Sequence, residues 1–209
     1  MSALRSLHYV VVDVETTGGS VDRGDRITEF AALCVDGTGK VIEEFQTLVN
    51  PERPIPPFIT RLTNIAEEMV RDAPRFSEIA GEVARILDGR IFVAHNAAFD
   101  WHFVSRELER ATGLVLEAPR LCTVRMARRL VPEVSSRSLG SLSEYFGIEN
   151  EARHRAMGDA RATVEGLRRL IERAEEREIV DWDGLQEFLT SRRRSRRRRT
   201  ALPTSIDNI

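Results

Sequence analysis

The stretch HYVVVDVETTGG at residues 8–19 sets two carboxylates, Asp13 and Glu15, two residues apart at the end of an apolar run. Val10, Val11, Val12 and Val14 favour a strand, and side chains alternate faces along a strand. Asp13 and Glu15 therefore share a face with Tyr9 and Val11, opposite Val10, Val12 and Val14. Like charges held that close, partly out of water, are unfavourable unless a cation or open solvent compensates them. The pair alone is weak evidence, because a chain with 33 acids contains roughly one D-x-E by chance. Asp100 in AHNAAFD and the pair His154 and Asp159 in HRAMGD are further candidates. Each has an ordinary reading too: Asp100 as a helix N-cap, Asp159 as an anion in a first helical turn, His154 as a solvated loop residue. One chemistry would unite all five, the in-line hydrolysis of a phosphodiester. Four carboxylates would hold two magnesium-like cations ~3.5–4 Å apart. A histidine would take the proton of the attacking water.

Such a cluster needs elements that bring distant residues together. Strand-like runs cover 8–14, 27–35 and 41–49, the last two flanking the tight-turn sequence DGTGK and so forming a hairpin. NPERPIPP at 50–57 reads as a stiff surface loop. Short helices are predicted around 60–70 and 77–88, with Ser77 as cap and Phe76, Ile79, Val83, Ile86 and Leu87 on the inner face. IFVAHN at 91–96 is a strand covered on both faces. A helix over 100–112 turns Phe103, Val104, Leu108 and Ala111 inward, and a short strand follows near 120–124. Helices are then expected at 124–130, 138–146, 156–175 and 183–190, the third burying Ala160, Val164, Leu167, Ile171 and Ala174. Antiparallel strands followed by alternating strands and helices argue for an α/β mixed sheet covered on both faces.

Composition bounds the rest. Hydrophobic content of 42% with 31% charged residues fits a soluble globular chain of one sizeable domain. The net charge of −2 hides an asymmetry: RRRSRRRR at 192–199 holds seven of the 31 basic residues. Residues 1–190 are therefore read as the domain and 191–209 as a disordered, Arg-rich tail. Cys34 and Cys122 form no C-x-x-C, which fits a reducing compartment with both thiols as small core residues. The N-terminal apolar run is interrupted by Asp13 and does not read as a signal peptide, and no run of ~20 apolar residues spans a membrane. The expected location is cytoplasmic, nucleoid-associated if the source is bacterial.

The motifs together resemble the DEDDh family of 3′→5′ exonucleases, the group that includes the proofreading epsilon subunit of bacterial DNA polymerase III. VVDVETTGG is similar to its first motif, VAHNAAFD to its second, and HRAMGDA, with the H-x-x-x-x-D spacing, to its third. The resemblance runs from about residue 7 to residue 173 and takes in DRITEFAAL, LVNPERPIPPFITRLTNI and LCTVRMARRLVPE. It implies a ribonuclease H-like fold with a five-stranded mixed sheet flanked by helices. It implies two Mg²⁺ or Mn²⁺ ions, bridged by Asp13, with Glu15 and Asp159 completing one site and Asp100 supporting the other. His154 would be the general base, and Thr16, Asn96 and Phe99 would contact the terminal nucleotide. The glycines after Thr17 would let a strand end approach closely. The implied activity is release of nucleoside 5′-monophosphates from a 3′ end, single-stranded DNA being favoured, in proofreading or repair beside a DNA polymerase or repair protein.

Three positions depart from the family pattern. Gly19 stands where a bulky apolar residue is common, Phe58 replaces an acid, and Asn64 replaces a glycine. All three concern substrate seating and leave the choice of nucleic acid open. RNA 3′-end processing is the alternative within the enzyme class, and a non-catalytic module that binds a polymerase or repair partner is the alternative from another class. The run at 192–199 would attract phosphates without sequence preference.

Overall fold

The computed structural model describes residues 2–150 and 152–191; the tail expected to be disordered lies outside the described residues, apart from Ser191. Five strands, β1 (His8–Thr16), β2 (Ile27–Asp36), β3 (Val41–Leu48), β4 (Ile91–Ala94) and β5 (Arg120–Cys122), form one sheet in the order β3-β2-β1-β4-β5. β2 runs antiparallel to β1 and β3, whereas β4 is parallel to β1 and β5. This is the expected mixed sheet. The β2–β3 turn is built by Asp36, whose Oδ1 accepts the N–H groups of Thr38 (2.9 Å) and Lys40 (3.2 Å), with Gly39 at φ +85°.

Eight α-helices complete the described residues: α1 (Pro57–Thr63), α2 (Glu67–Val70), α3 (Phe76–Leu87), α4 (Ala97–Thr112), α5 (Thr123–Leu130), α6 (Leu139–Phe146), α7 (Ala156–Glu175) and α8 (Trp182–Thr190). The alternation along β1 divides the core. Tyr9 and Val11 pack with Ala31, Leu33 and the buried stripe of α7, including Ala160, Leu167 and Ile171. Val10, Val12 and Val14 pack with α3 and α4 through Phe76, Val83, Phe103 and Leu108. Burying each Val, Leu or Ile side chain contributes about 1.5–3 kcal/mol, so packing holds α7 in place. No described helix is long and apolar enough to cross a membrane.

The structure departs from expectation where single residues turn the chain. Asn96 adopts the left-handed conformation (φ +73°), so β4 ends at Ala94 and α4 starts at Ala97. Asp100 therefore falls inside the first turn and is not an N-cap. Asn64, also left-handed (φ +57°), splits the single helix expected over 60–70 into α1 and α2. Pro57 opens α1, where a missing N–H costs nothing. Ser77 does not cap α3; the chain enters through Arg75, whose N–H donates to Glu78 Oε2 at 2.7 Å. Cys34 is buried as expected, but Cys122 is only partly buried and lines a groove.

Candidate active site

β1 carries Asp13 and Glu15 to its C-terminal end on the face covered by α7. The first turn of α7 supplies Asp159, and one oxygen from each of these three acids lies within 4.8 Å of the others. Asp100 joins from the far side of the sheet. Pairing of β1 with β4 stops at Val11 and Val93, and beyond it the N–H of Val14 donates to Asp100 Oδ1 at 3.3 Å. The carboxylate thus stands in for a missing strand partner. Four acids separated by up to 146 positions converge at one end of the sheet.

Their electrostatics are those of an anion cluster short of cations. Burial, then the charges of Asp100, Asp159 and Glu15, push the Asp13 carboxyl well above its ordinary range. Burial, Asp159 and Glu29 push Glu15 up to about 8, against a weaker pull down from Arg155. Burial raises Asp100 to about 7 in spite of the Val14 N–H. A divalent cation would remove the repulsion and use oxygen ligands of the kind that hard cations prefer. The donor set fits: Asp13, Glu15 and Asp159 can hold a divalent metal.

Asp159 is fixed by the loop ahead of α7. Its Oδ1 accepts from Asn150 Nδ2 at 2.6 Å, and its Oδ2 from the backbone N–H of His154 at 3.1 Å. His154 holds φ +61°, a left-handed conformation, and its side chain is exposed. With Asn150, Arg153 and Asp159 it borders a hollow of about 280 Å³. The loop folds tightly over the helix start because residue 158 is glycine; a Cβ there would overlap the carbonyl oxygen of Ala152.

Three residues absent from the sequence reading organise this arrangement. Glu29, fully buried on β2, lies directly opposite Glu15. Its carboxylate accepts from Arg155 Nε (3.0 Å) and Nη2 (2.7 Å), from the Ala156 N–H (3.0 Å) and from Gln46 Nε2 (2.9 Å). Burial alone would raise Glu29, but Arg155 and these donors hold it below its ordinary value. Arg155 provides no side-chain cap to α7, so an acid 127 positions away caps the helix. Asn150 is the third. The available signal for Glu29 was its place in ITEFAALCV, one acid on an otherwise apolar strand.

The remaining candidates are spread around the cluster. Thr16 is buried and its hydroxyl donates to the Gly18 carbonyl at 2.6 Å. Asn96 is exposed at the start of α4, and Phe99 is half-buried with its ring 4.9 Å from that of Phe103. The two glycines of TTGG differ. A side chain at Gly18 would collide with Asp25, which organises the turn by accepting from the Ser20 N–H at 3.0 Å, whereas Gly19 faces open space. Only the second leaves room for a strand end.

Comparison with known proteins places the chain among exonucleases. The chain is 36% identical over 159 residues to the DNA polymerase III epsilon subunit of Treponema pallidum, covering 75% of this chain and 73% of that one. It is 40% identical over 155 residues to the 3′-5′ exonuclease DinG of Bacillus subtilis, covering 74% of this chain but 16% of DinG. It spans a third or less of several other curated bacterial relatives. The E. coli exonuclease I complex with single-stranded DNA and zinc has the same fold, with a TM-score of 0.71 at 21% identity over 83% of this chain and 42% of that one. Residues 10–167, which include Asp13, Glu15, Asp100, His154 and Asp159, match the family model described as Exonuclease (RNase_T), and the chain belongs to that exonuclease family.

Proposed function

We propose that the chain removes nucleoside 5′-monophosphates one at a time from the 3′ end of DNA, in proofreading or repair. The convergence of Asp13, Glu15 and Asp159 beside Asp100 supports this reading most directly. Asp13, Glu15, Asp100 and Asp159 would hold two Mg²⁺ or Mn²⁺ ions, which would activate a water and stabilise the leaving oxygen. His154, whose backbone N–H donates to Asp159, would take the proton of that water. Thr16, Asn96 and Phe99 would seat the terminal nucleotide. The catalytic unit is residues 1–190, acting in the cytoplasm, with the nucleoid as its site in a bacterium and a DNA polymerase or repair protein as its partner.

The decisive assay offers 5′-labelled single strands of DNA or RNA with Mg²⁺, Mn²⁺ or EDTA. The expected result is a ladder shortening from the 3′ end of DNA, with free mononucleotides, only when a divalent ion is present. Cleavage that continues in EDTA rules out the mechanism, and faster shortening of RNA moves the substrate to the other nucleic acid.

The seven arginines at 192–199 would hold longer strands near the site through counterion release. Removing residues 191–209 is expected to leave dinucleotide turnover unchanged while weakening low-salt binding of long strands. Equal affinity in the truncated chain excludes that role.

A further inference from the structure

Beside the start of α4, a groove of about 780 Å³ opens towards the β5–α5 corner and α8. Its lining includes Asn96, Arg120, Arg125, Arg128, Trp182 and Gln186, and its size is that of a ligand site, about 300–1,000 Å³. Its charge sets it apart. Outside the last 18 residues the chain holds 24 basic and 32 acidic residues, yet three arginines and no carboxylate line this groove among the described residues. Several exposed arginines elsewhere are paired, as Arg106 is with Glu109 and Arg161 with Glu44, while isolated ones such as Arg23, Arg61 and Arg71 form no ion pair among the described residues. It is the grouping of three in one carboxylate-free groove that distinguishes this site. Arg120, Arg125 and Arg128 form no ion pair among the described residues. Arg120 lies 4.7 Å over the Trp101 ring, which orients the guanidinium without using up its N–H donors. Gln186 Nε2, also on the groove, is buried and finds no partner among the described residues.

We infer that this groove carries the backbone of a single nucleic-acid strand upstream of the 3′ end, with the three arginines on successive phosphates and Trp182 beside a base. The inference rests on the exonuclease reading. The groove begins at Asn96, which caps the start of α4, and Asp100 stands in the first turn of that same helix, so α4 links the groove to the acids. Electrostatics demand such a path, because phosphates crossing a body rich in acids need local cations. Ser191, the last described residue, lies near the groove's far wall. Ser191 accepts from Arg129 Nη1 of α5 through its carbonyl (2.7 Å) and from Nη2 through its hydroxyl (3.0 Å).

The test uses the full chain with 5′-fluorescent single-stranded DNA of about 20 nucleotides in EDTA, where binding is read without turnover. Replacing Arg120, Arg125 and Arg128 together by glutamine should weaken low-salt binding about 10–100-fold. The slope of log affinity against log salt should become shallower by about 2, at roughly 0.7 per phosphate. Replacement of the same three by lysine should restore most of that slope. Dinucleotide turnover with Mg²⁺, which does not extend into the groove, should persist in both variants and reports that they are folded. Unchanged affinity and slope in the glutamine variant overturn the inference, as they would if the groove instead received an acidic protein segment. Equal losses in the lysine and glutamine variants overturn it too, since charge would then not be what matters. A wild-type protein whose binding depends on these arginines but which releases no nucleotide supports the groove and sinks the catalytic reading alone.

Discussion

Asp13→Asn is expected to abolish metal-dependent nucleotide release and, at the same time, to make the metal-free protein more stable at pH 8. Asp13 is the acid that feels Asp100, Asp159 and Glu15 together, so a neutral amide there removes the centre of the cluster. Losing a residue that merely supports a metal ligand costs about 10–100-fold, and loss of a ligand itself should exceed about 10³ in rate. The stability effect follows from the sign of the shifts. In the folded, metal-free chain Asp13 is raised well above its ordinary value, Glu15 is raised from 4.5 to about 8, and Asp100 from 3.8 to about 7. The folded state therefore binds more protons than the unfolded state between about pH 4 and pH 8, and stability falls as pH rises through that window. Asparagine cannot ionise, so the gain should be small at pH 5 and largest at pH 8. For a chain of this size each kcal/mol regained lifts Tm by about 2–4 °C. Divalent ions should raise the Tm of the wild type at pH 8 and have little effect on the variant. A variant that is destabilised at pH 8 in EDTA would show that the acids are not in mutual repulsion.

The second large effect concerns His154. His154→Asn should lower kcat by roughly 10²–10⁴, the usual cost of losing a general base. Asparagine is the informative replacement because position 154 holds φ +61°, a conformation it tolerates better than alanine does. The His154 N–H bond to Asp159 should then survive, and with it the ion-induced rise in Tm. Alanine at the same position should lose kcat and also weaken metal binding, through strain on that bond. Asparagine and wild type turning over at similar rates would remove His154 from the proton transfer.

Much of this architecture was legible in the sequence for physical reasons. Alternation along HYVVVDVET separates two core faces, and the stripe Ala160, Val164, Leu167, Ile171 and Ala174 marks the buried side of α7. The proximity of Asp13 and Glu15 is local, set by strand geometry. Their meeting with Asp159 is not; it was suggested by the one chemistry that would use all the acids together and by the resemblance of three ordered motifs. Two kinds of information stayed hidden. Left-handed residues such as Asn64 and Asn96 move helix ends by several positions without any change in hydrophobic pattern. Partners far apart in the chain, such as Glu29 with Arg155, cannot be matched until the fold pairs them, even where one of them, Glu29, stands out on an apolar strand. The groove arginines were invisible for a related reason, since charge periodicity does not say which cations lack an acid.

The Arg155–Glu29 clamp bears on how chains of this kind can diverge. It moors the first turn of α7 to the sheet from behind the connecting loop. Substitutions between Gly147 and Ala152 can therefore alter the hold of Asn150 on Asp159 while the anchorage of α7 stays put. The placement of the helix and the fine setting of its first acid thus become separately heritable, one kept by the clamp and the other carried by the loop.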